Sequence, residues 1–428
     1  MIRVIRSGYL GTETPYIYQK SRYTLPPVGY EPFFINHLGR HGARYLSSDQ
    51  GINKLLDTLK RAESLGMLKE EGKRLQDKLE RIAPIEEASV GLLTASGIQM
   101  EEGIASRMIH YFPQVFGKKV IAVSTYVTRT KESMEAFLGE LSKWTSSSCF
   151  EASSNGRIDP VLRFFDLNKA YLKYKEEGKW RELVKTYEKR QNDMFDILKL
   201  FFMTPYLAKL EDPYAWVADL YAVYANQFDA RENVGLGIYF TDEQLRYLWE
   251  NENLRQYLEK GPSYVGQCLP THIAFPLLMD FLRTSETAIR EREWSAYLRF
   301  AHAETIIPFS SMMRLLGFFN QTNCMSHVAT LWQDYWVAPM AANMQWIFYA
   351  HPEEERVLVK MLYNETEVRL PIRSVCGPYY DWRAVRMFYI KQLQALKLDW
   401  QKDLVEMVED YTETSCFCKE EYEVMKNS

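Results

Sequence analysis

The chain has 428 residues, with 52 Lys and Arg against 56 Asp and Glu, for a formal net charge of −4. A hydrophobic share of 46% beside a charged share of 25% excludes an intrinsically disordered chain, because that apolar content is ample for a buried core. The charge balance argues against a nucleic-acid binder, which carries a basic surplus, and the length fits roughly two to three domains.

The N-terminus (MIRVIRSGYLGTETPYIY) has Arg3 and Arg6 but no apolar h-region, so it does not read as a secretory signal. Either the protein is cytoplasmic, or the chain is a mature form that has lost its signal and is secreted, periplasmic or lumenal. Residues 32–38 (PFFINHL) form a short apolar run that reads as a buried strand. The loop GRHGARYLSSD follows, then helical stretches around 50–65 and 68–82. A third helix fits 94–111, with Thr94 or Ser96 as its cap and Glu101 and Glu102 in an early turn. Residues 119–127 (KVIAVSTYV) read as the clearest strand, and a helix follows over 130–144.

The character changes near residue 150, where CFEASSNGRIDP reads as a polar connection. From there to about 292 no segment reads as a strand. Tyr171, Tyr174, Trp180, Tyr187, Trp216, Tyr221 and Tyr224 recur at near-helical spacing among Lys and Glu, which reads as helix core. The α/β pattern then resumes. Residues 294–301 read as a strand running into His302, and a helix begins near Pro308. Residues 343–349, 357–363 and 367–370 read as strands, the last two joined by an Asn-Glu turn, and a helix closes over 381–396. The fold class is therefore α/β: a mostly parallel central sheet in a discontinuous domain (1–155 and 293–428), with an inserted all-helical cap over 156–292.

No apolar run reaches the ~20 residues needed to span a bilayer. Six cysteines, Cys149, Cys268, Cys324, Cys376, Cys416 and Cys418, include no C-x-x-C pair and read as free thiols.

The chemistry concentrates at the strand ends. Arg40-His41-Gly42-Ala43-Arg44 follows the first strand directly. Two guanidiniums make little sense as core packing without acidic partners. At the carboxyl end of a parallel strand they open into the crevice where α/β proteins bind ligands. There they can clamp a tetrahedral oxyanion by parallel hydrogen bonds, while a neutral His41 imidazole is a competent nucleophile toward phosphorus. Arg129 sits where the second strand hands over to a helix and offers a third guanidinium. His302-Ala303-Glu304 lies at another strand end. His302 can donate to the transferring phosphoryl group, and Glu304 reads either as the acid for a poor alkoxide leaving group or as a residue favoured by the helix dipole.

R-H-G-x-R followed far downstream by a histidine and an acid resembles the histidine phosphatase superfamily. The helical insertion is similar to that of the histidine acid phosphatases and phytases. His-Ala-Glu in place of His-Asp resembles the multiple inositol polyphosphate phosphatases, as do LGTETPY, LLTASGIQMEEG at 92–103, STYVTRTKESMEAF at 124–137, LRFFD at 162–166 and YLWENENLRQYLEKGPS at 247–263. The resemblance covers about residues 10–395. It implies His41 as the nucleophile, Arg40, Arg44, Arg129 and His302 as the phosphate clamp, Glu304 as the proton donor and Arg163 as a substrate contact. The family usually carries Pro two residues after the second motif arginine, where this chain has Tyr45-Leu46-Ser47.

The implied substrate is an inositol phosphate, with no cofactor and no metal. His37 and His41, four apart on a strand and loop, do not share a face for a zinc site, and His37 reads as a hydrogen-bonded core histidine. The Lys/Arg-dense segment 169–190 is a candidate lid that also fits a solvated face with i,i+4 pairs, so Lys20, Arg22 and Lys131 are the expected outer contacts. Glu304 must be protonated and His41 neutral for the first step, which predicts an acidic to near-neutral optimum. Two other readings stay open: the same chemistry on a phosphorylated sugar or bisphosphoglycerate, and a non-catalytic inositol-phosphate-binding protein.

Overall fold

A computed structural model describes residues 9–19, 22–146, 149–189, 196–227 and 233–412. One mixed sheet organises the chain. Its strands are β1 (Glu31–Arg40), β2 (Lys119–Ser124), β3 (Phe150–Ser154), β4 (Trp294–Ala301), β5 (Asn343–His351), β6 (Glu354–Tyr363), β7 (Thr366–Glu367) and β8 (Tyr379–Asp381). The order is β3-β2-β4-β1-β5-β6-β7, with β8 also pairing β6. β3, β2, β4 and β1 run parallel, and β5 and β6 continue the sheet antiparallel.

The principal helices before β4 are α1 (Gln50–Ser64), α2 (Glu70–Ser89), α3 (Ala95–Tyr111), α4 (Thr128–Leu141), α5 (Lys169–Glu177), α6 (Trp180–Glu188), α7 (Pro213–Gln227), α8 (Asp242–Glu259) and α9 (Phe275–Glu291). α10 (Ala303–Met312) and α11 (Trp382–Ala395) follow. Helices α3 and α4 cover one face of the sheet, packing Ile104, Met108, Phe137 and Leu141 against Ile35, Leu298 and Ile347. The other face, with Phe34, Leu38, Trp346 and Phe348, is covered by α9, α10 and α11, and the same core runs on to the aromatics of α5 and α6, which pack against α8. A further apolar body joins α1 and α2 to residues 197–249. Tyr171, Tyr174, Trp180, Tyr187, Trp216, Tyr221 and Tyr224 are all buried, so the aromatic stripe is helix core.

Several expectations are corrected. Phe150–Ser154 is a strand, not a connection; it is the parallel edge of the sheet, and four of its five residues are exposed, on both faces. Helix α10 begins at Ala303 rather than near Pro308, and that proline, inside the helix, leaves the Glu304 carbonyl without its helical donor. Likewise α2 runs through Pro84 to Ser89; the carbonyl freed is that of Glu80, an exposed residue, where water can take its place. β7 has only two residues, but its Asn-Glu turn is present, with Asn364 and Glu365 both at positive φ. Glu365 is held there by two-pronged hydrogen bonds from Arg107. Cys268 is disulfide-bonded rather than a free thiol, whereas Cys149, Cys324 and Cys376 are free; Cys416 and Cys418 lie outside the described residues. His37 is in the core, but neither ring nitrogen has a hydrogen-bond partner. It packs against Phe137 and Phe300, and burial, with Arg299 nearby, pushes its pKa down to about 3.

Candidate active site

Strand register builds the site. Arg40 pairs with Ala301 across β1 and β4, and Ser124 pairs with Phe300 across β2 and β4. The next residues along each strand, His41, Thr125 and His302, therefore emerge side by side at the carboxyl ends of three parallel strands. The His41 and His302 ring centroids lie 5.7 Å apart.

The loop carrying His41 is fixed by close packing against the start of α3. A Cβ on Gly42 would lie 2.3 Å from the Gly97 carbonyl oxygen, and one on Gly97 2.1 Å from that of Ala43. Thr94 caps α3 by accepting from the Gly97 N–H at 3.1 Å, and its own N–H and hydroxyl donate to the Ala43 carbonyl. On the other side the Gly42 N–H donates to Ser133 Oγ at 3.1 Å. His41 Nδ1 lies 2.9 Å from the Gly42 carbonyl. Donation to that carbonyl puts the proton on Nδ1 and leaves Nε2 with a free lone pair. Burial holds the His41 pKa well below the usual histidine value, assisted by Arg129, Arg40, His302 and Arg44. The imidazole is neutral.

Four guanidiniums surround this pair of rings. Arg40 is buried and donates from Nη1 to the carbonyls of Thr12 and Ala338. Arg44 donates to the Tyr45 carbonyl and forms a 2.9 Å ion pair with Glu13. Arg129, in the first turn of α4, has Nη2 at 3.4 Å from His302 Nδ1. Arg163 Nη1 is 2.9 Å from His302 Nε2; the guanidinium also pairs with Asp166 and lies against the Tyr126 and Phe165 rings. Burial, with neighbouring arginines adding to it, brings the pKa of Arg40 and of Arg129 down to about 10. Both stay charged at neutral pH, and the cluster carries more positive charge than its carboxylates balance.

His302 caps α10 from extended backbone and is held well below its usual pKa, first by burial and then by Arg129. Its Nε2 accepts from Arg163, with Thr125 Oγ1 at 2.9 Å, so Nδ1 carries the proton beside Arg129. Two donors that close together suit a shared anionic acceptor. Glu304 stands in the first turn of α10, its carboxylate 2.9 Å from Lys260 Nζ.

The structure thus brings His41, Arg40, Arg44, Arg129, His302, Arg163 and Glu304 together. Among the expected outer contacts, Lys131 is half-buried two residues after Arg129, a spacing that puts it on another face of α4. Arg22 is exposed, and its neighbours Tyr23 and Thr24 are bonded to Glu365 and Glu367 of the β6–β7 hairpin. Lys20 lies outside the described residues. The segment at 169–188 has a solvated face with an i,i+4 pair between Lys173 and Glu177. Sequence reasoning missed Glu13, Thr125 and Lys260. Glu13 and Lys260 fall inside the stretches LGTETPY and YLWENENLRQYLEKGPS, and those stretches were the available signal. Among the described residues no group of three or more His, Cys, Asp or Glu could hold a metal ion.

No family model and no curated protein matches the chain. Solved structures do. The multiple inositol polyphosphate phosphatase of Bifidobacterium longum, solved with inositol hexasulfate, aligns over 89% of this chain and 97% of its own, at 23% identity and a TM-score of 0.79. Its phosphate complex aligns over 90% and 98%, at 23% identity and a TM-score of 0.80. The D. castellii phytase aligns over 98% and 91%, at 15% identity and a TM-score of 0.70. The chain has the histidine acid phosphatase fold. In that fold, the three strand ends and the first turn of α10 gather two neutral histidines, an arginine cluster and the Glu304 carboxylate. No helix among the described residues is long and apolar enough to cross a membrane.

Proposed function

We propose that the chain is a phosphomonoester hydrolase that removes phosphates from inositol hexakisphosphate and lower inositol polyphosphates through a phosphohistidine on His41. One observation carries this reading: a neutral, buried imidazole with a free Nε2 lone pair stands among four guanidiniums that their carboxylates do not neutralise. That environment repels cations and draws a phosphate dianion onto the nucleophile. The B. longum enzyme crystallised with inositol hexasulfate on this fold gives the substrate class its support.

His41 Nε2 attacks phosphorus in line. The P–O bond to the ring carbon's oxygen breaks, and its electron pair leaves with that oxygen. Arg40, Arg44, Arg129 and the His302 Nδ1–H stabilise the three equatorial oxygens, where transition-state charge spreads. Glu304 gives its proton to the departing oxygen. It then takes one from the water that attacks phosphohistidine, returning neutral His41 and inorganic phosphate. Arg163 is a further substrate contact through its place beside His302, and the part of the helical segment that packs with α1 and α2, residues 197–249, acts as the cap. None of these steps calls for a metal.

The test is phosphate release from inositol hexakisphosphate in the presence of a chelator. Loss of the nucleophile in His41→Ala is expected to cut kcat by roughly 10⁴-fold or more. Undiminished release by His41→Ala would overturn the mechanism, and activity confined to small monoesters would overturn the substrate class.

A further inference from the structure

The first step needs a protonated Glu304, yet the folded protein pairs that carboxylate with a lysine. Lys260 ends α8 and lies 44 residues before Glu304 in the chain, and its Nζ is 2.9 Å from Glu304 Oε1. The lysine side chain is 11% exposed and the glutamate side chain 34%. Burial alone disfavours both charges. Instead the pair keeps both charged: Lys260 holds the Glu304 carboxyl well below the usual range, and Glu304 with Glu259 holds the Lys260 ammonium above its ordinary value. The other groups that feel Glu304 are His302 beside it, Arg40 on β1, Arg129 on α4 and Tyr171 on α5, while Arg255 opposes the Lys260 charge. An acid so paired gives up its proton more readily than an unpaired one.

The geometry offers a release. The Glu304 carboxyl must touch the ester oxygen that leaves, and Lys260 is one hydrogen bond beyond it. On an inositol ring the next phosphate hangs from the adjacent carbon, one ring position from the ester oxygen that Glu304 serves. A phosphate near full charge offers about two negative charges and three acceptor oxygens against the single charge of a carboxylate. We propose that Lys260 is a specificity-determining residue: its ammonium passes from Glu304 to a second phosphate of the substrate, so that a polyphosphorylated ring frees the acid which a simple monoester leaves paired. Glu304 then takes a proton from solvent and passes it to the leaving oxygen. This inference rests on the hydrolase reading above.

The test compares pH profiles of kcat, which report ionisation in the enzyme–substrate complex, for inositol hexakisphosphate and for β-glycerophosphate. In the wild type the alkaline limb is expected about one pH unit higher with the hexakisphosphate. In Lys260→Met the β-glycerophosphate limb moves up to meet it, and KM for the hexakisphosphate rises about tenfold. Lys260→Arg keeps the wild-type pattern. A limb set by the substrate's own phosphate ionisation would instead stay separate in Lys260→Met, and that result overturns the proposal. So do coincident limbs in the wild type, a comparison that needs no variant to fold. His41-dependent release with coincident limbs overturns only the role of Lys260, whereas no release from either substrate overturns the hydrolase reading with it.

Discussion

The two sides of the crevice hold their charges in opposite ways. On the clamp side Arg40, Arg44, Arg129 and Arg163 crowd around His41 and His302, and burial and mutual repulsion lower the pKa of Arg40 and Arg129. On the acid side Glu304 is already satisfied by Lys260. An anion entering the clamp relieves repulsion among arginines of which two keep carboxylate partners, Glu13 and Asp166, but the proton donor works only after an existing ion pair opens. Clamping the reacting phosphate and readying the acid therefore come from different parts of the chain: strand ends for the clamp, the end of a long helix for the lysine.

Substitutions on each side are expected to differ by leaving group. Glu304→Gln should slow phosphohistidine formation from inositol hexakisphosphate, read in single-turnover experiments, by about 10²–10⁴-fold, yet slow its formation from p-nitrophenyl phosphate far less, because that leaving group departs without a proton. Arg129→Ala should lower both rates alike, by about 10²–10³-fold, since it removes charge stabilisation at the phosphoryl oxygens. Equal losses on both substrates for Glu304→Gln would erase the distinction between the two sides.

Smaller effects sharpen the clamp side. Glu13 fixes Arg44 by an ion pair and accepts from Asn226 at 3.2 Å. Glu13→Ala should raise KM about tenfold, short of the roughly 10²-fold that an ångström of misplacement can cost; steady-state kinetics at fixed pH would show it. Behind Arg40, Asp334 is buried, and burial is the main cause that pushes its pKa up to about 7. Its folded pKa exceeds the unfolded value, so the folded state binds more protons between about pH 4 and 7 and this group's contribution to stability falls as pH rises through that window. Asp334→Asn keeps acceptors for the Trp249 and Tyr335 N–H groups. Its Tm should gain on the wild type by a few degrees from pH 4 to 7. A constant difference would show that Asp334 does not titrate there.

The site was legible in sequence where chemistry and chain order coincide. Arg40, His41 and Arg44 share one loop, and His302 and Glu304 sit at one strand end; that the two groups meet was read from the strand ends and the family resemblance together. β4 also agreed with its apolar run, since both of its faces are covered. Partners from distant elements were harder. Glu13, Thr125 and Lys260 reach the site through sheet register and helix packing, which no local pattern encodes. β3 escaped because an edge strand with an exposed face lacks an apolar run, and α10 because Pro308 reads as a start while its lost hydrogen bond falls on the first turn. The disulfide of Cys268 has no signature in cysteine spacing.

The central claim is that phosphate passes through His41. The direct measurement is rapid mixing with ³²P-labelled inositol hexakisphosphate, quenching in alkali and locating the label on the chain. The expected result is an alkali-stable, acid-labile phosphate on His41 that forms no more slowly than turnover and is missing from His41→Ala. Steady phosphate release by His41→Ala, or labelling of another residue at the turnover rate, would contradict it.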